Sequence, residues 1–238
     1  MAIIEWKKEG TSALLVMNNG ENRHNLAFAG AMLDTFASIM ADPSVDNVVI
    51  VSSDPRCWSL GVDVDWVTAR YHEQDFQSIK AFLYRLNDLF KTMLTFPLPL
   101  IAAINGHVAA NGLVLACACD FRFMRSDKGF ARFPEIDLGI PFLPGMIAIT
   151  KKALPRHFFE MMKYTAMKVT ARELETHHVL VRSFENEELL IRGCIEFGQS
   201  LKKKRAILGE MKKRMNQDII DVIEGKDPPF IESMALMV

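Results

Sequence analysis

The sequence predicts an α/β fold, in which strands and helices alternate along the chain. Apolar runs at 47–52 and 100–104, the first rich in β-branched residues, are typical of strands that are covered on both faces. Between them, residues 76–96 carry apolar side chains at helical spacing. Strands that alternate with helices in this way indicate βαβ units and a largely parallel sheet.

The remaining elements follow from the same two patterns. Further strands are predicted at 12–17, at 120–124 and, late in the chain, at 179–184, and residues 26–40 form a further amphipathic helix.

After residue 143 the sequence becomes mainly helical. The predicted helices span 143–153, 156–166, 171–177, 185–201 and 201–223, and the last of these is basic and amphipathic. A Gly-Lys-Asp-Pro-Pro segment at 225–229 predicts its end. We therefore expect an α/β core over residues 1–185 and a C-terminal helical region over 186–238.

The charge balance excludes several classes of protein. The chain has 28 Lys and Arg residues against 29 Asp and Glu residues, a formal net charge of −1, which argues against a nucleic-acid-binding domain. No apolar run approaches the length of a membrane-spanning helix, and the first residues lack the pattern of a secretory signal. We expect a cytoplasmic protein with neither a nucleic-acid nor a membrane partner.

The four cysteines and the basic run at 202–205 are the other groups whose chemistry needs an interpretation. Since the cysteines form no CxxC pair, we expect small buried side chains rather than a metal site. The basic run is either a solvated helix face or a landing site for a phosphorylated ligand.

Two glycine-containing stretches follow predicted strands and precede predicted helices. They are Ser-Leu-Gly-Val-Asp-Val at 59–64 and Asn-Gly-His-Val-Ala-Ala-Asn-Gly-Leu-Val at 105–114. Such geometry leaves free backbone N–H groups at a helix N-terminus, where an oxyanion is stabilised, although glycine loops also serve tight packing. Neither stretch matches the nucleotide-binding glycine patterns.

A third stretch, Phe-Pro-Glu-Ile-Asp-Leu-Gly-Ile at 133–140, places Glu135 after a proline in apolar surroundings. A carboxyl group there can have a raised pKa and act as an acid and base. Taken alone, a glutamate in such a stretch is more often a surface or ion-paired residue.

In this order, the three stretches resemble the crotonase (enoyl-CoA hydratase/isomerase) superfamily. The resemblance covers nearly the whole chain, and the segments that carry it are 22–26, 58–64, 99–107, 119–120, 134–139 and 169–174. It implies a spiral of stacked ββα or βαβ turns, followed by a C-terminal helical region that takes part in trimerisation. The implied assembly is a homotrimer or a dimer of trimers.

The resemblance also implies the positions of the site residues. The backbone N–H groups of Val62 and Asn111 would bind the oxygen of a thioester carbonyl, and Glu135 would move the proton. Residues implied to contact coenzyme A are Arg23, His24, Leu60, Gly61, Asp63 and Val64, of which Asp63 is also expected to cap a helix. Residues implied to contact the acyl chain are Gly112, Val114 and Phe142.

One departure from the family pattern indicates the reaction. Hydratases of this superfamily usually carry two glutamates, but the first position here is Val114 and only the second, Glu135, is kept. A single base is enough to shift a double bond from 3-enoyl-CoA to 2-trans-enoyl-CoA, and the chain is most like the monofunctional Δ3,Δ2-enoyl-CoA isomerases. The coenzyme A thioester is then the substrate, and no separate cofactor is expected.

Three alternatives remain. The first is another crotonase-type acyl-CoA enzyme, such as a weak hydratase, a thioester hydrolase or a decarboxylase. The second is a non-catalytic protein that binds acyl-CoA or takes part in assembly. The third is an unrelated α/β protein in which the glycine-containing loops occur by chance.

Overall fold

A computed structural model describes residues 2–235 of the chain, so residues 236–238 of the predicted helical region lie outside the described part. The strands are β1 (Ile4–Glu9), β2 (Ser12–Met17), β3 (Arg23–His24), β4 (Asn47–Ser52), β5 (Cys57–Ser59), β6 (Gly61–Val62), β7 (Leu100–Ile104), β8 (His107–Ala109), β9 (Phe121–Arg125), β10 (Ala131–Arg132) and β11 (Arg182–Phe184). The helices are α1 (Leu26–Ala41), α2 (Val64–His72), α3 (Phe76–Thr95), α4 (Asn111–Ala118), α5 (Glu135–Leu138), α6 (Pro144–Ala153), α7 (Arg156–Thr165), α8 (Ala171–Thr176), α9 (Glu187–Ser200), α10 (Arg205–Met215) and α11 (Gln217–Glu232).

Within residues 2–235, six strands form the main sheet in the order β1-β2-β4-β7-β9-β11. The first pair is antiparallel and the other neighbours are parallel. The strands predicted at 12–17, 47–52 and 100–104 are confirmed with the same bounds, and the strand predicted at 120–124 lies one residue later, at 121–125. The strand predicted at 179–184 is shorter, because its pairing with β9 begins at Arg182.

Short strands beside the main sheet define the repeating unit of the fold. The strands β5, β8 and β10 follow main-sheet strands along the chain and form a small parallel sheet in the order β10-β8-β5. Each turn therefore contributes a strand to each sheet before the chain enters a helix. This arrangement confirms the predicted α/β spiral of stacked ββα turns.

Both faces of the main sheet are covered, as the continuous apolar strands predict. One face belongs to the main core with α1, α3 and α4, where Leu15, Ile50 and Ala102 are buried. On the other face, Val49 and Ile101 pack with Leu190 of α9. The strands at the centre of the sheet are therefore shielded from water on each side.

The predicted single helix over 201–223 is wrong in two respects. The chain forms α10 and α11, which are separated at Asn216, whose buried side chain donates a hydrogen bond to the carbonyl of Leu94 (2.8 Å). The second helix continues through Gly225 and through Pro228 and Pro229, where a stop was expected. Tertiary contacts outweigh local propensity here, because Asp227 is buried and accepts a hydrogen bond from the backbone N–H of Gly145 (2.7 Å).

The sequence patterns missed β1, an edge strand whose residues are largely exposed or half-buried. In the described part of the chain, none of the helices has the length and apolar character that crossing a membrane requires.

Candidate functional site

A cavity of about 360 Å³ lies where the turn before α2, the start of α4, and the helices α3, α5 and α6 meet. Its wall is mainly apolar. The residues that line it are Arg23, Leu60, Val62, Val64, Val67, Thr68, Ile79, Phe82, Leu83, Ala109, Ala110, Asn111, Pro134, Glu135, Leu138, Ile140, Pro141, Phe142, Leu143 and Met146. Glu135 and Asn111 are thus polar groups in a largely hydrocarbon environment.

Gly61 brings the first glycine-containing stretch against the second. Its φ is +83°, a left-handed value that favours glycine, and a Cβ added there would lie 2.7 Å from the backbone nitrogen of Asn111. The turn that carries Val62 therefore directly adjoins the N-terminus of α4.

The N-terminus of α4 is held in an unusual backbone conformation. Ala110, which precedes the helix, has φ 54° and ψ −136°, a region that residues other than glycine rarely adopt. Asn111 is the first helical residue, and the first N–H groups of a helix have no intrahelical acceptor. Gly112 packs so closely on β5 that an added Cβ would lie 2.4 Å from the carbonyl oxygen of Ser59.

A buried histidine fixes the side chain of Asn111. The Nδ2 of Asn111 lies 2.8 Å from Nδ1 of His24, which therefore accepts the hydrogen bond. The other ring nitrogen, Nε2, lies 3.0 Å from the hydroxyl of Ser59, which in turn donates to the carbonyl of Asn22 (2.8 Å). These contacts assign a neutral imidazole with its proton on Nε2.

The surroundings of His24 keep this ring neutral. It is fully buried and stacks on Phe28, with 4.5 Å between ring centroids. Burial lowers the pKa of His24 to about 3, because the charged form would lose its hydration.

Glu135 is the first residue of α5 and is only 7% exposed. Its Oε2 lies 3.3 Å from Nζ of Lys163, on α7, whereas Oε1 has no hydrogen-bond partner among residues 2–235. Burial raises the pKa of Glu135, and the Lys163 ammonium acts in the opposite direction. Burial also lowers the pKa of Lys163, to about 8.

Together these groups offer a carboxylate and backbone N–H donors around one apolar cavity. A carboxylate with a raised pKa can take up and return a proton. Backbone N–H groups directed at a developing oxyanion stabilise it, with each donor worth about 3 kcal/mol. The arrangement therefore suits proton transfer beside a carbonyl group.

The structure brings most of the predicted site residues to this cavity. The predicted residues in its wall are Arg23, Leu60, Val62, Val64, Asn111, Glu135 and Phe142. Gly61 lies directly behind the wall, where it permits the close approach to Asn111. Asp63, also expected to contact coenzyme A, lies outside the wall; it caps α2 by accepting a hydrogen bond from the N–H of Trp66 (3.0 Å), which confirms the capping role expected of it.

Other predicted contact residues lie away from the wall, and these predictions need correction. His24 is fully buried behind Asn111 and presents no surface to coenzyme A. Gly112 faces Ser59 rather than the cavity. Val114, one turn into α4, is fully buried in the main core.

Sequence reasoning missed Lys163 and the contribution of α3. Lys163 is 28 positions from Glu135 in a helix that reads as an ordinary amphipathic one, so no local pattern indicates their contact. Ile79, Phe82 and Leu83 belong to the apolar stripe of α3, which predicts burial without distinguishing a core from a cavity wall. Among the described residues, no group of three or more His, Cys, Asp or Glu side chains is arranged to hold a metal ion.

Comparison with protein families gives one match over most of the chain. The family model described as enoyl-CoA hydratase/isomerase matches residues 9–225.

Curated relatives include isomerases from Arabidopsis thaliana. The chain is 24% identical over 220 residues to enoyl-CoA delta isomerase 1, peroxisomal, which covers 90% of this chain and 89% of that protein. It is 31% identical over 145 residues to enoyl-CoA delta isomerase 3, and this match covers 57% of each protein. The alignment with isomerase 3 therefore spans little more than half the length of that relative.

Solved structures share the fold at low sequence identity. An apo enoyl-CoA isomerase from Mycobacterium tuberculosis superposes with a TM-score of 0.83 at 18% identity, covering 98% of each chain. An enoyl-CoA hydratase/isomerase family protein from Pseudomonas syringae gives a TM-score of 0.86 at 18% identity, also covering 98% of each chain.

Proposed function

Because the chain belongs to the enoyl-CoA hydratase/isomerase family, we propose that it converts 3-enoyl-CoA to 2-trans-enoyl-CoA, with Glu135 as the single proton shuttle. The observation that carries this proposal is the arrangement of one buried carboxylate in the same apolar cavity as Val62 and Asn111. The likeness to the Arabidopsis delta isomerases supports it.

The reaction proceeds in two proton transfers. Glu135 removes a proton from C2, which lies between the thioester carbonyl and the double bond, and the electrons move onto the carbonyl oxygen. The backbone N–H groups of Val62 and Asn111 stabilise that enolate oxygen. Glu135 then returns the proton at C4 as the carbonyl re-forms, so the double bond becomes conjugated and no atom is gained or lost.

The side chains available at the site favour isomerisation over hydration. Adding water across a double bond requires a second group that positions and activates the water. Where hydratases of the family usually carry their first glutamate, this chain has Val114, which is buried in the core and offers neither a proton nor a hydrogen-bond acceptor. The apolar wall formed by α3 and α6 suits an acyl chain. The thioester itself supplies the activating carbonyl, so we propose that the reaction uses no further cofactor.

Turnover of a 3-enoyl-CoA by the purified protein tests this proposal. The product is measured as the conjugated 2-enoyl thioester by its ultraviolet absorbance, and hydration of crotonyl-CoA is measured in parallel. We expect Glu135→Gln to lower kcat by about 10² or more, because general acid–base catalysis contributes about 10²–10⁴.

The matched control is Glu196→Gln, which removes a carboxylate from the exposed side of α9, across the main sheet from the core that holds the cavity. It should leave isomerisation unchanged. Rapid hydration of crotonyl-CoA, or isomerisation that survives in Glu135→Gln, would contradict the proposal. Tight binding of acyl-CoA without turnover would instead favour a binding protein.

Assembly and location follow as secondary proposals. The exposed side chains of Ile207, Met211 and Met215 recur every four residues along α10, and we propose that such surfaces of the C-terminal helices meet another copy of the chain in a trimer or a dimer of trimers. Light scattering of the purified protein gives the mass of the assembly and so decides between these states.

Fluorescence microscopy of a tagged protein tests the location. It compares the predicted cytoplasmic location with the peroxisome, which the name of one Arabidopsis relative specifies.

A further inference from the structure

Lys163 is a charged residue whose side chain is largely buried. Its side chain is 16% exposed, and its Nζ lies 3.3 Å from Oε2 of Glu135, whose side chain is 8% exposed. Removing both charges from water is costly unless each group stabilises the other. The pair is therefore a built feature of the site rather than a surface ion pair.

Aromatic rings hold the ammonium group in this position. The Nζ of Lys163 lies 3.1 Å from the ring centroid of Phe142 and 4.7 Å from that of Phe133. The two rings contact each other edge to face, with 5.6 Å between their centroids. Cation–π contacts of this kind attract an ammonium and fix its location.

The contact leaves the two oxygens of Glu135 in different states. Oε2 is engaged by Lys163, and Oε1 has no hydrogen-bond partner within the described residues. A carboxylate held by one oxygen has fewer orientations available, and its other oxygen remains available to a substrate. This asymmetry suits a proton shuttle in which one oxygen both takes up and returns the proton.

We propose that Lys163 is a positioning residue for Glu135, which holds Oε2 so that Oε1 exchanges the proton and which keeps the carboxylate charged before substrate binds. This inference rests on the proposed function, since it assigns Lys163 a part in the same proton transfer. Lys163 itself is absent from the cavity wall and acts through Glu135.

The two cationic side chains near Glu135 both lower its pKa. Burial raises the pKa of Glu135, and Lys163 on α7 lowers it, with a smaller contribution from Arg132 on β10. Arg132 is itself paired with Asp137 on α5. Lys163 is thus the principal group that opposes the effect of burial.

The test compares Lys163→Met with Lys163→Arg by the pH dependence of kcat/KM for a 3-enoyl-CoA. Methionine keeps an unbranched apolar chain between the rings and removes the charge, whereas arginine keeps the charge. An opposite charge at this distance lowers a carboxyl pKa by about 1–3 units. We therefore expect the acidic midpoint of Lys163→Met to move upward by about one pH unit or more, and Lys163→Arg to return it towards the wild-type value.

The same reasoning separates the two effects of Lys163. Once the pH exceeds both acidic midpoints, Glu135 is charged in wild type and in Lys163→Met, so a difference in rate that remains there reports the positioning of Oε2. Because burial lowers the pKa of Lys163 to about 8, that remaining difference should shrink above this pH. Lys168→Met is the matched control, because Lys168 also lies over an aromatic ring, Phe130, but is exposed and makes no contact with Glu135.

A second measurement separates this inference from the proposed function. The side-chain carboxyl of Glu135, labelled with ¹³C and assigned by its loss in Glu135→Gln, is titrated by NMR in wild type, Lys163→Met and Lys163→Gln. An upward shift of its pKa in both variants supports the electrostatic role of Lys163, even if the protein fails to isomerise 3-enoyl-CoA.

Two results would overturn the inference. One is an unchanged Glu135 titration in folded Lys163→Met and Lys163→Gln. The other is an equal displacement of the acidic midpoint in Lys163→Arg and Lys163→Met, which would mean that the charge is not what matters. Thermal unfolding of each variant establishes that it is folded.

Discussion

His24 makes the stability of this protein sensitive to mild acid. The ring is fully buried as the neutral form, between Ser59 and Asn111, and its pKa is lowered to about 3. In the unfolded chain the same side chain takes up a proton at its ordinary pKa of 6.5. Between these two values the unfolded state binds a proton that the folded state does not, so stability falls as the pH falls.

The size of the effect follows from the two pKa values. Each pH unit within this window changes the free energy of unfolding by about 1.4 kcal/mol. Because the loss begins only near the unfolded pKa of 6.5, a change from about pH 7.5 to about pH 5 costs about 2 kcal/mol. That is a large fraction of the stability of a typical domain, which is about 5–15 kcal/mol.

Urea unfolding of wild type and His24→Gln at several pH values isolates this contribution. Glutamine offers an acceptor for Asn111 and a donor for Ser59, and it does not titrate. Glu135 and Asp227 have raised pKa values and therefore stabilise the folded state as the pH falls, but they are present in both proteins. Over this range, we expect the free energy of unfolding of His24→Gln to fall by about 2 kcal/mol less than that of wild type.

The exposed His72 supplies the control, since His72→Gln removes an imidazole from the surface of α2. If wild type and His24→Gln lose the same unfolding free energy between about pH 7.5 and about pH 5, the fold does not hold this ring neutral and the reasoning is refuted.

Two further substitutions test the backbone around Asn111, at the start of α4. Gly112→Ala would place a Cβ 2.4 Å from the carbonyl oxygen of Ser59, so urea unfolding should show a loss of stability of about 1–3 kcal/mol. The control is Gly225→Ala, which has open space around it in α11 and should gain about 0.5–1 kcal/mol. Equal effects of the two substitutions would refute the steric argument. Ala110→Gly should raise stability by about 1 kcal/mol, because glycine accepts φ 54° and ψ −136° without strain; a loss of stability would show that the strain is absent.

The sequence predicted those features that depend on local pattern. The strands at 12–17, 47–52 and 100–104 are confirmed, because each is a short apolar run of the kind that forms a strand covered on both faces. The positions of Val62, Asn111 and Glu135 at one cavity came from the motifs of a family, since nothing in spacing alone brings residues 62 and 135 together.

What the sequence could not predict depends on contacts between distant segments. Lys163 reads as one more charged residue on an amphipathic helix until α7 is packed against α5. His24 reads as a polar residue near a ligand, but packing on Phe28 buries it completely. The continuation of α11 through Pro228 and Pro229 likewise depends on the burial of Asp227 against α6.

The contact between Asp227 and Gly145 ties α11 to the α6 wall of the cavity. Met146, the residue after Gly145, lies in the cavity wall, although within the described residues α11 adds no side chain to that wall. Glu232 in the last turn of α11 also holds α3, through Lys80 (2.8 Å) and Tyr84 (2.6 Å). This helix therefore supports both apolar walls from outside, so a fusion tag, a cleavage or a neighbouring subunit that moves it would change the shape of the cavity.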